Sequence, residues 1–207
     1  MNKKRVRRLY RLEGLQVRMR VRRRKHMALH RGPAPVPTGR HQRWSMDFVH
    51  DQLFDGRPFR ALTIVDLWRR ESPMLEAGFS LTGRSVVAVM ERLLPITGLP
   101  ASITVDHGTE FMSKALEAWA YYRGVQLDFT RPGKPTDNSH IESFNGRLRD
   151  ECLNVHQFLS IDNARATIEA LRQDYNEVRP HGSLGDLTPA EFIKIRQERR
   201  TENAGSF

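Results

Sequence analysis

The segment RWSMDFVHDQLFDGRPFRALTIVDLW (residues 43–68) decides the fold, because it contains two β-rich runs separated by a short turn. Both runs are rich in β-branched and aromatic residues, and the Asp-Gly pair between them favours a tight hairpin turn. The segment therefore predicts an antiparallel hairpin, with one strand at residues 43–53 and the next at residues 57–68.

The residues after the hairpin predict alternating strands and helices, from their apolar spacing and their turn residues. The predicted elements are a short strand in SPMLEAGF (72–79), a helix in TGRSVVAVMERLLPITG (82–98), a strand in SITVDHG (102–108), a helix in SKALEAWAYYRG (113–124), a strand in VQLDFT (125–130) and helices at 139–153, 161–180 and 188–200. Asp137 or Asn138 is expected to cap the helix at 139–153. This order predicts an α/β fold in which a mixed sheet is flanked by helices.

The net charge of +10 is distributed unevenly along the chain. Residues 1–43 hold 15 lysines and arginines against one acidic residue, whereas the rest of the chain holds 19 basic and 23 acidic residues. A dense basic segment is typical of a protein that contacts nucleic acid, and a solvated tail without a partner is the alternative. We expect a basic helical arm at residues 1–31, a proline-rich linker at 32–42, a globular core at 43–195 and a tail at 196–207.

The composition argues against a membrane or secreted protein. No apolar run reaches the roughly 18 residues of a membrane-spanning helix, and no apolar segment follows the charged N-terminus. Cys152 is the single cysteine, so no internal disulfide can form, which fits a reducing compartment. We therefore expect a cytoplasmic protein without a membrane partner, and Cys152 as a packing residue rather than a nucleophile.

Three acidic residues stand where a carboxylate is hard to explain by structure alone. Asp47 lies in the middle of a predicted strand, where aspartate is disfavoured. Asp106 stands at the carboxyl end of a predicted strand, where α/β sheets commonly bind ligands. Glu142 lies one turn into a predicted helix and shares a polar face with Asn145 and Arg149.

Other acidic residues compete with these three. Asp51 shares the strand face of Asp47, and Asp66 is also in the middle of a strand, while Asp128 and Asp137 are near the candidate site in sequence. Each acidic residue also has a structural reading as a helix cap, a turn former or a solvated side chain. The residue pattern alone leaves the choice among them open.

A set of converging carboxylates would favour phosphate chemistry. Mg²⁺ prefers oxygen ligands in octahedral geometry and keeps several waters, so two or three carboxylates with phosphate oxygens make a typical site. Two such ions activate an attacking oxygen and stabilise the leaving one in a phosphodiester displacement. Beside a basic arm, a carboxylate-only site favours this chemistry over proteolysis or redox chemistry.

Four motifs in order resemble the integrase-core transposases of bacterial insertion sequences, of the second-frame type. They are WSMDFVHD, TVDHGTEF, DNSHIESFNGRLRDECLN and YNEVRPHGSLGDLTPAEF, and 35 residues separate Asp106 from Glu142. The resemblance covers about residues 43–195 and is most specific in the third motif. These transposases are of the DDE class, in the ribonuclease H-like and retroviral integrase superfamily.

This resemblance implies a fold, a site and a reaction. Asp47 and Asp106 would be the two catalytic aspartates and Glu142 the catalytic glutamate, together on a five-stranded ribonuclease H-like sheet flanked by helices. They would hold two Mg²⁺ ions, or Mn²⁺ in their place. The implied reaction is DNA nicking at the ends of the element, followed by attack of the freed 3′-OH on another phosphodiester. Asp66 would then have a structural role.

The sequence departs from the family pattern at the second motif and, more mildly, at the third. The second motif usually reads Asp-Asn-Gly, whereas here it reads Asp106-His107-Gly108. His107 is a replacement hydrogen-bond partner, a change that weakens the site, or a metal ligand that shifts the preference away from Mg²⁺. In the third motif, Ser139-His140 replaces residues that are often small or apolar.

The N-terminal segment resembles the end of the helix-turn-helix region that precedes the core in relatives. The expected partners are therefore the element ends and target DNA, an upstream-frame helix-turn-helix protein and further copies of the chain, in the bacterial nucleoid. A truncated, non-catalytic DNA-binding regulator of transposition is the alternative function. A nuclease without strand transfer is disfavoured, because the fourth motif is typical of transposases.

Basic residues on the arm and beside the candidate site are expected to contact DNA phosphates, with solvated surface as the alternative. They are Arg22, Arg23, Arg24 and Lys25 on the arm, Lys134 in the loop before the helix at 139–153, and Arg147 and Arg149 on that helix.

Overall fold

The structure, a computed structural model, describes residues 36–131 and 138–204. The predicted helical arm at residues 1–31 lies outside the described residues. Within them the elements are, in chain order, β1 (Arg43–Gln52), β2 (Pro58–Asp66), β3 (Leu75–Gly78), α1 (Gly83–Thr97), β4 (Ser102–Val105), α2 (Lys114–Arg123), β5 (Gln126–Phe129), α3 (Ser139–Leu148), α4 (Ile161–Glu177) and α5 (Pro189–Ala204). A π-helical turn (Arg149–Leu153) follows α3, and a 3-10 turn (Gly182–Leu184) precedes α5.

The strands form one five-stranded sheet in the order β3-β2-β1-β4-β5. The pairs β1–β2 and β2–β3 are antiparallel, whereas β1–β4 and β4–β5 are parallel. The predicted mixed sheet flanked by helices is therefore confirmed, with the antiparallel hairpin at one side and the helix-linked strands at the other.

The hairpin turn forms where the sequence predicts it. Gly56 adopts a positive φ of 83°, a backbone conformation that glycine reaches without steric cost. The Gly56 amide donates to the Leu53 carbonyl at 2.9 Å, and the Asp55 carboxylate accepts from the Arg57 amide at 3.0 Å. These bonds fix the register in which Trp44 pairs with Asp66.

Alternation along the strands gives the sheet two chemically different faces. The first, here called the dry face, packs against α1 and α2 through apolar side chains such as Met46, Ile64 and Ile103. The second, here called the polar face, is covered by α3, the π-helical turn and α4. It has an apolar area that includes Val49 and Phe144. The same strand parity that directs Val49 to the polar face also directs Asp47 there.

Helix ends mostly follow the predicted signals. Thr82 caps α1 in a capping box with Ser85, and Ser113 caps α2 through the Leu116 amide at 3.3 Å. The predicted cap at Asn138 is wrong in its chemistry: Asn138 stands at the N-cap position, but its side chain makes no capping bond. It accepts instead from the Ser45 hydroxyl of β1, which ties the start of α3 to the sheet.

Three helices differ from their predicted extent. The helix predicted at residues 161–180 is α4, which ends at Glu177. The predicted helix at residues 139–153 is α-helical only to Leu148 and continues as the π-helical turn Arg149–Leu153. The last helix, α5, runs to Ala204, across the predicted start of the tail at residue 196. Across the part of the chain that the structure describes, no helix is both long enough and apolar enough to span a membrane.

Candidate active site

Asp47 and Asp106 lie side by side at one end of the sheet. In the parallel pair β1–β4, Ser45 is opposite Thr104, and the two aspartates follow two residues further along each chain segment. Side chains alternate between the two faces of a strand, and both aspartates are at positions whose side chains point towards α3. The fold therefore brings together two carboxylates that are 59 residues apart in sequence. Asp47 is half-buried, whereas Asp106 is exposed.

Asn145 on α3 joins that helix to the first aspartate. Its side-chain amide nitrogen donates to Asp47 Oδ2 at 2.8 Å, and Asp47 Oδ1 accepts from the Phe48 amide at 2.7 Å. Glu142 precedes Asn145 by three residues, so it lies one turn back on the same side of α3 and is exposed. Ile141 and Phe144 bury the other side of the helix against the sheet.

The pKa of Asp47 depends on the charges of the other two carboxylates. Burial raises the pKa of Asp47 above its usual value, and the negative charges of Asp106 and Glu142 raise it further. The hydrogen bonds from Phe48 and Asn145 act in the opposite direction, because they stabilise the ionised form. The three predicted residues therefore share one electrostatic environment, and a bound cation would favour the ionised form of Asp47.

The Asp106 carboxylate is oriented by the backbone of its own motif. The Gly108 amide donates to Asp106 Oδ1 at 2.8 Å. A Cβ at position 108 would lie 2.9 Å from that same oxygen, closer than side chains normally approach, so the position favours glycine. His107 between them is exposed and lies against the Phe129 ring, with 5.5 Å between ring centroids.

Asp66 has the structural role that the family resemblance implied. Its carboxylate is buried and accepts hydrogen bonds from Trp44 Nε1 at 3.0 Å and from the Trp68 and Arg69 amides at 2.9 Å each. Arg69 also forms an ion pair with it at 3.3 Å. These donors occupy both carboxylate oxygens and tie the turn after β2 to β1.

The other described competitors make local contacts, although the buried Asp51 Oδ2 has no hydrogen-bond partner among the described residues. Asp128 forms an ion pair with Arg43 at 3.1 Å. Asp51 shares the parity of Asp47, accepts from the Gln52 amide at 2.8 Å and raises the pKa of the buried Cys152 thiol, whose own burial raises it more. With its pKa at about 11, Cys152 is a poor nucleophile, as expected of a packing residue. Asp137 lies outside the described residues.

The residues at this site fit a hard divalent cation by chemistry. The donor set is carboxylate oxygen, and Asn145 adds a buried amide oxygen that has no hydrogen-bond partner among the described residues. Within residues 36–131 and 138–204, however, no group of three or more His, Cys, Asp or Glu side chains is already arranged to hold a metal ion. Like charges repel, so carboxylates approach a common point only around a cation.

Only some of the residues that are predicted to contact DNA lie in the part of the chain that the structure describes. Arg147 is half-buried and Arg149 is exposed, and neither side chain has a hydrogen bond or ion pair within the described residues. Lys134 and the arm residues Arg22, Arg23, Arg24 and Lys25 lie outside the described residues. Their roles stay predictions.

Two residues of the site were not predicted as site residues. The sequence puts Asn145 on the polar side of its helix. Its spacing of three residues from Glu142 is the signal that the two side chains lie close together. Gly108 belongs to the second motif, but the sequence assigns it no contact. Its hydrogen bond to the Asp106 carboxylate depends on the folded backbone.

Profiles of the integrase core domain match two overlapping parts of the chain, residues 37–135 and residues 123–189. Together they include the sheet, α3 and α4, and all three carboxylates.

Curated relatives extend this similarity over most of the chain. An uncharacterized 31.7 kDa protein of insertion element IS407 from Burkholderia multivorans is 45% identical over 92% of this chain and 69% of its own length. A 39.2 kDa protein of insertion element IS476 from Xanthomonas euvesicatoria is 38% identical over 100% of this chain and 59% of its length. The transposase InsF of insertion sequence IS3A from Escherichia coli is 26% identical over 75% of this chain and 54% of its length.

Solved structures share the fold at low sequence identity. The integrase catalytic core domain of HTLV-2, solved in complex with magnesium in a trimeric form, superposes with a TM-score of 0.58 at 15% identity, over 74% of this chain and 96% of that one. A chain of the simian T-cell lymphotropic virus intasome gives a TM-score of 0.59 at 18% identity, over 74% of this chain and 53% of that one. The sheet is therefore of the ribonuclease H-like class of the retroviral integrase core.

The fold and the profile matches thus define an integrase core, and the 45% identical relative comes from an insertion element. The chain belongs to the integrase-core family of insertion-element transposases. It spans between about half and about two thirds of the length of these curated relatives.

Proposed function

We propose that this chain is the catalytic core of a DNA transposase, a polynucleotidyl transferase that nicks DNA at the ends of an insertion element and joins the freed 3′-OH to target DNA. The observation that carries the proposal is the hydrogen bond from Asn145 to Asp47. It joins α3 to β1, and Glu142, three residues earlier on the same helix, acts with Asp106 on the pKa of Asp47. The integrase-core family membership supports the same reaction class.

Asp47, Asp106 and Glu142 are the residues that would hold the metal in this proposal. Mg²⁺ suits an all-oxygen donor set, and Mn²⁺ would serve in its place. When two such ions are bound, they supply Lewis-acid stabilisation to the attacking and leaving oxygens of the phosphodiester. The magnesium complex of the HTLV-2 integrase core supports this choice of metal.

The chain's own residues prepare that site. Asn145 and the Phe48 amide orient the two oxygens of Asp47, and the Gly108 amide orients Asp106. The two donors to Asp47 also favour its ionised form, which is the form that binds cations. Glu142 is exposed on the first turn of α3, where it is accessible to a DNA strand.

The proposed partners are the element ends and target DNA, bound in part by the basic residues 1–31. Removal of those residues is expected to weaken DNA binding and to flatten its dependence on salt, because fewer counterions would be released. Further copies of the chain on DNA are proposed from the trimeric form of the HTLV-2 integrase core. An upstream-frame helix-turn-helix protein and a location in the bacterial nucleoid belong to the same proposal.

The test is cleavage and joining of labelled DNA that carries the two ends of the chain's insertion element, in the presence of Mg²⁺. We expect Glu142→Gln to lower both reactions by at least about 100-fold, because it removes a carboxylate that would hold the metal and with it the stabilisation that the metal supplies to the transition state. Glu117→Gln is the matched control, since Glu117 is an exposed glutamate in the first turn of α2. Its activity should equal that of the wild type.

Two outcomes would count against the proposal. Equal joining by the wild type and Glu142→Gln would remove Glu142 from the site. If the wild type binds the element ends but neither cuts nor joins them, the chain is instead a non-catalytic DNA-binding regulator of transposition.

A further inference from the structure

A second polar cluster lies beside the carboxylates, where the turn after β2 contacts the end of α4. Ser72 and Asn176 hold these segments together: the Ser72 amide donates to Asn176 Oδ1 at 2.9 Å, and Asn176 Nδ2 donates to the Ser72 carbonyl at 2.9 Å. All three of these groups are buried. The pair fixes Arg70, two residues before Ser72, near Tyr175, the neighbour of Asn176.

Tyr175 is the centre of this cluster. Its ring is buried and meets the Phe144 ring of α3 edge-on at 4.8 Å and the His181 ring at 4.6 Å. His181 Nε2 is also bonded to the Tyr175 carbonyl at 3.1 Å. Arg147 follows Phe144 by three residues on α3, so the helix that carries Glu142 also places an arginine on the side that faces Tyr175.

Arginine charge acts on this tyrosine from several sides. Burial raises the pKa of Tyr175, and the positive charges of Arg147, Arg70 and Arg179 lower it. Arg179 is balanced by an ion pair with Glu151. Within the described residues, the side chains of Arg70 and Arg147 form no ion pair and no hydrogen bond, although the charge of Asp66 acts on Arg70.

Several other half-buried or buried arginines of the described residues are paired with acids. The pairs are Arg43–Asp128 at 3.1 Å, Arg60–Glu110 at 2.6 Å, Arg69–Glu71 at 2.9 Å and Arg172–Glu169 at 2.6 Å. A buried guanidinium nitrogen without a partner costs free energy, because it loses water without gaining an acceptor. Arg70 Nη1 is such an atom within the described chain.

The backbone of Arg70 adds a second cost. Its φ is +59°, in the left-handed region that residues other than glycine seldom adopt. Such a conformation is strained and persists where the surroundings impose it. The Arg70 amide donates to the Asp66 carbonyl at 2.8 Å, and the buried Asp66 turn thereby imposes the conformation that aims Arg70 at the cluster.

We propose that Arg70 and Arg147, together with Tyr175, bind one backbone phosphate of the DNA strand that enters the carboxylate site. The proposal rests on the proposed function. An arginine fork matches a phosphate through two parallel hydrogen bonds, and an anion there would satisfy both unpaired guanidinium groups. Arg147 follows Glu142 by five residues, about 7.5 Å further along the axis of α3 and roughly 140° around it. The phosphate bound is therefore a different one from the reacting phosphate.

The test combines protein variants with single neutral phosphates in the DNA. Element-end duplexes are made with one methylphosphonate at each position in turn, and affinity is measured without divalent metal, so that no chemistry is needed. In the wild type we expect one position near the cleavage point to lower affinity by about tenfold, since hydrogen bonds to charged groups are the strong ones. In Arg70→Gln and Arg147→Gln the same methylphosphonate should have no further effect.

Controls separate this site from general charge and from folding. Arg84→Gln removes an exposed arginine in the first turn of α1, beyond the dry face, and should keep the full methylphosphonate effect. Tyr175→Phe keeps the ring contacts and removes only the hydroxyl, so it should weaken the effect at that position alone. Arg70→Lys keeps the charge without the fork and should retain part of the effect.

The outcomes distinguish this proposal from the proposed function. Equal losses at every methylphosphonate position in wild type, Arg70→Gln and Arg147→Gln would overturn the phosphate site, even if the wild type cuts and joins DNA. Coupling between Arg70 and one phosphate in a chain that neither cuts nor joins would support the phosphate site and refute the transposase activity.

Discussion

The two faces of the sheet use the same strands for different purposes. On the dry face, apolar side chains from alternate strand positions meet apolar side chains of α1 and α2, and Met46, Ile64 and Leu93 are fully buried there. On the polar face, the intervening positions carry Asp47 and Asp106 at the end nearest α3, while the rest of that face is packed with apolar residues. One face is a core throughout, and the other is a core with a polar end.

This difference shows how a small sheet combines stability with a charged site. A carboxylate group buried inside the dry face would lose its water without compensation, at a cost of several kcal/mol. At the polar end, water reaches Asp106 and Glu142, and Asp47 is compensated by two hydrogen bonds. We therefore expect changes on the dry face to affect mainly stability, and changes at the polar end to affect mainly DNA chemistry.

The largest effect is expected for Leu93→Ala on the dry face. Leu93 is 0% exposed in α1, so truncation leaves a cavity and should lower the free energy of unfolding by about 2–5 kcal/mol. Urea denaturation measures this loss, with Leu159→Ala as the control because Leu159 is 73% exposed. Joining per folded molecule should be unchanged. A specific loss of joining in a variant that stays folded would break the division between the faces.

The second largest effect is expected for the reactivity of Cys152. This residue lies in the apolar cluster that packs on the polar face. Burial, and secondly the charge of Asp51, raise the pKa of this thiol from 9.0 to about 11. At pH 8 the folded chain should therefore react with iodoacetamide about 100-fold more slowly than the urea-unfolded chain, since only the thiolate reacts. Because the folded pKa is the higher one, the associated stability is present below pH 9 and is lost as the pH rises through 11.

The Asp51→Asn variant tests how much the charge of Asp51 contributes to the raised pKa of Cys152. It should lower the pKa of the thiol and speed alkylation of the folded chain, which mass spectrometry of the modified peptide would measure. Equal alkylation rates in folded and unfolded wild type would mean that this part of the polar face is open to water.

Asn145→Ala tests the hydrogen bond that joins α3 to Asp47. We expect joining to fall about 10–100-fold, as for other residues that orient metal ligands, while stability falls by less than about 2 kcal/mol. The pKa of Asp47 should rise further, because a hydrogen bond that favours its ionised form is lost. Asn163→Ala at the start of α4 is the matched truncation. Similar joining by both variants would contradict the proposed role of Asn145.

The smallest effect is expected for Gly108→Ala. The new Cβ would lie 2.9 Å from Asp106 Oδ1 and displace that carboxylate by a few tenths of an ångström, which should lower joining about tenfold without loss of stability. Gly146→Ala in α3 is the control, because its Cβ meets open space and should stabilise the helix by about 0.5–1 kcal/mol. Wild-type joining by Gly108→Ala would show that the site tolerates movement of Asp106.

Much of the fold was predictable because its signals are local. The Asp55-Gly56 turn acts within a few residues, and the hairpin that it predicts is confirmed. The prediction that Asn138 caps α3 is wrong because the partner of its side chain is distant in sequence. Its side chain bonds to Ser45, 93 residues away, and a capping preference does not report such a competitor.

The end of α3 was also beyond prediction. Residues 139–153 have one helical pattern, yet the backbone changes to a π-helical turn at Arg149, where Cys152 and Leu153 pack into the sheet. That change depends on the fit between helix and sheet, not on the propensities of these residues.

The sequence by itself determined most strands and helices, because periodicity and turn chemistry are written along the chain, whereas its residue pattern left several acidic residues as candidates. Only the tertiary structure decided which of these acids lie near one another. The parallel register of β1 and β4 and the bond from Asn145 bring Asp47, Asp106 and Glu142 together, whereas ion pairs and turns engage Asp66 and Asp128 elsewhere. The physical reason is that electrostatic coupling depends on distance in space, which the order of residues does not specify.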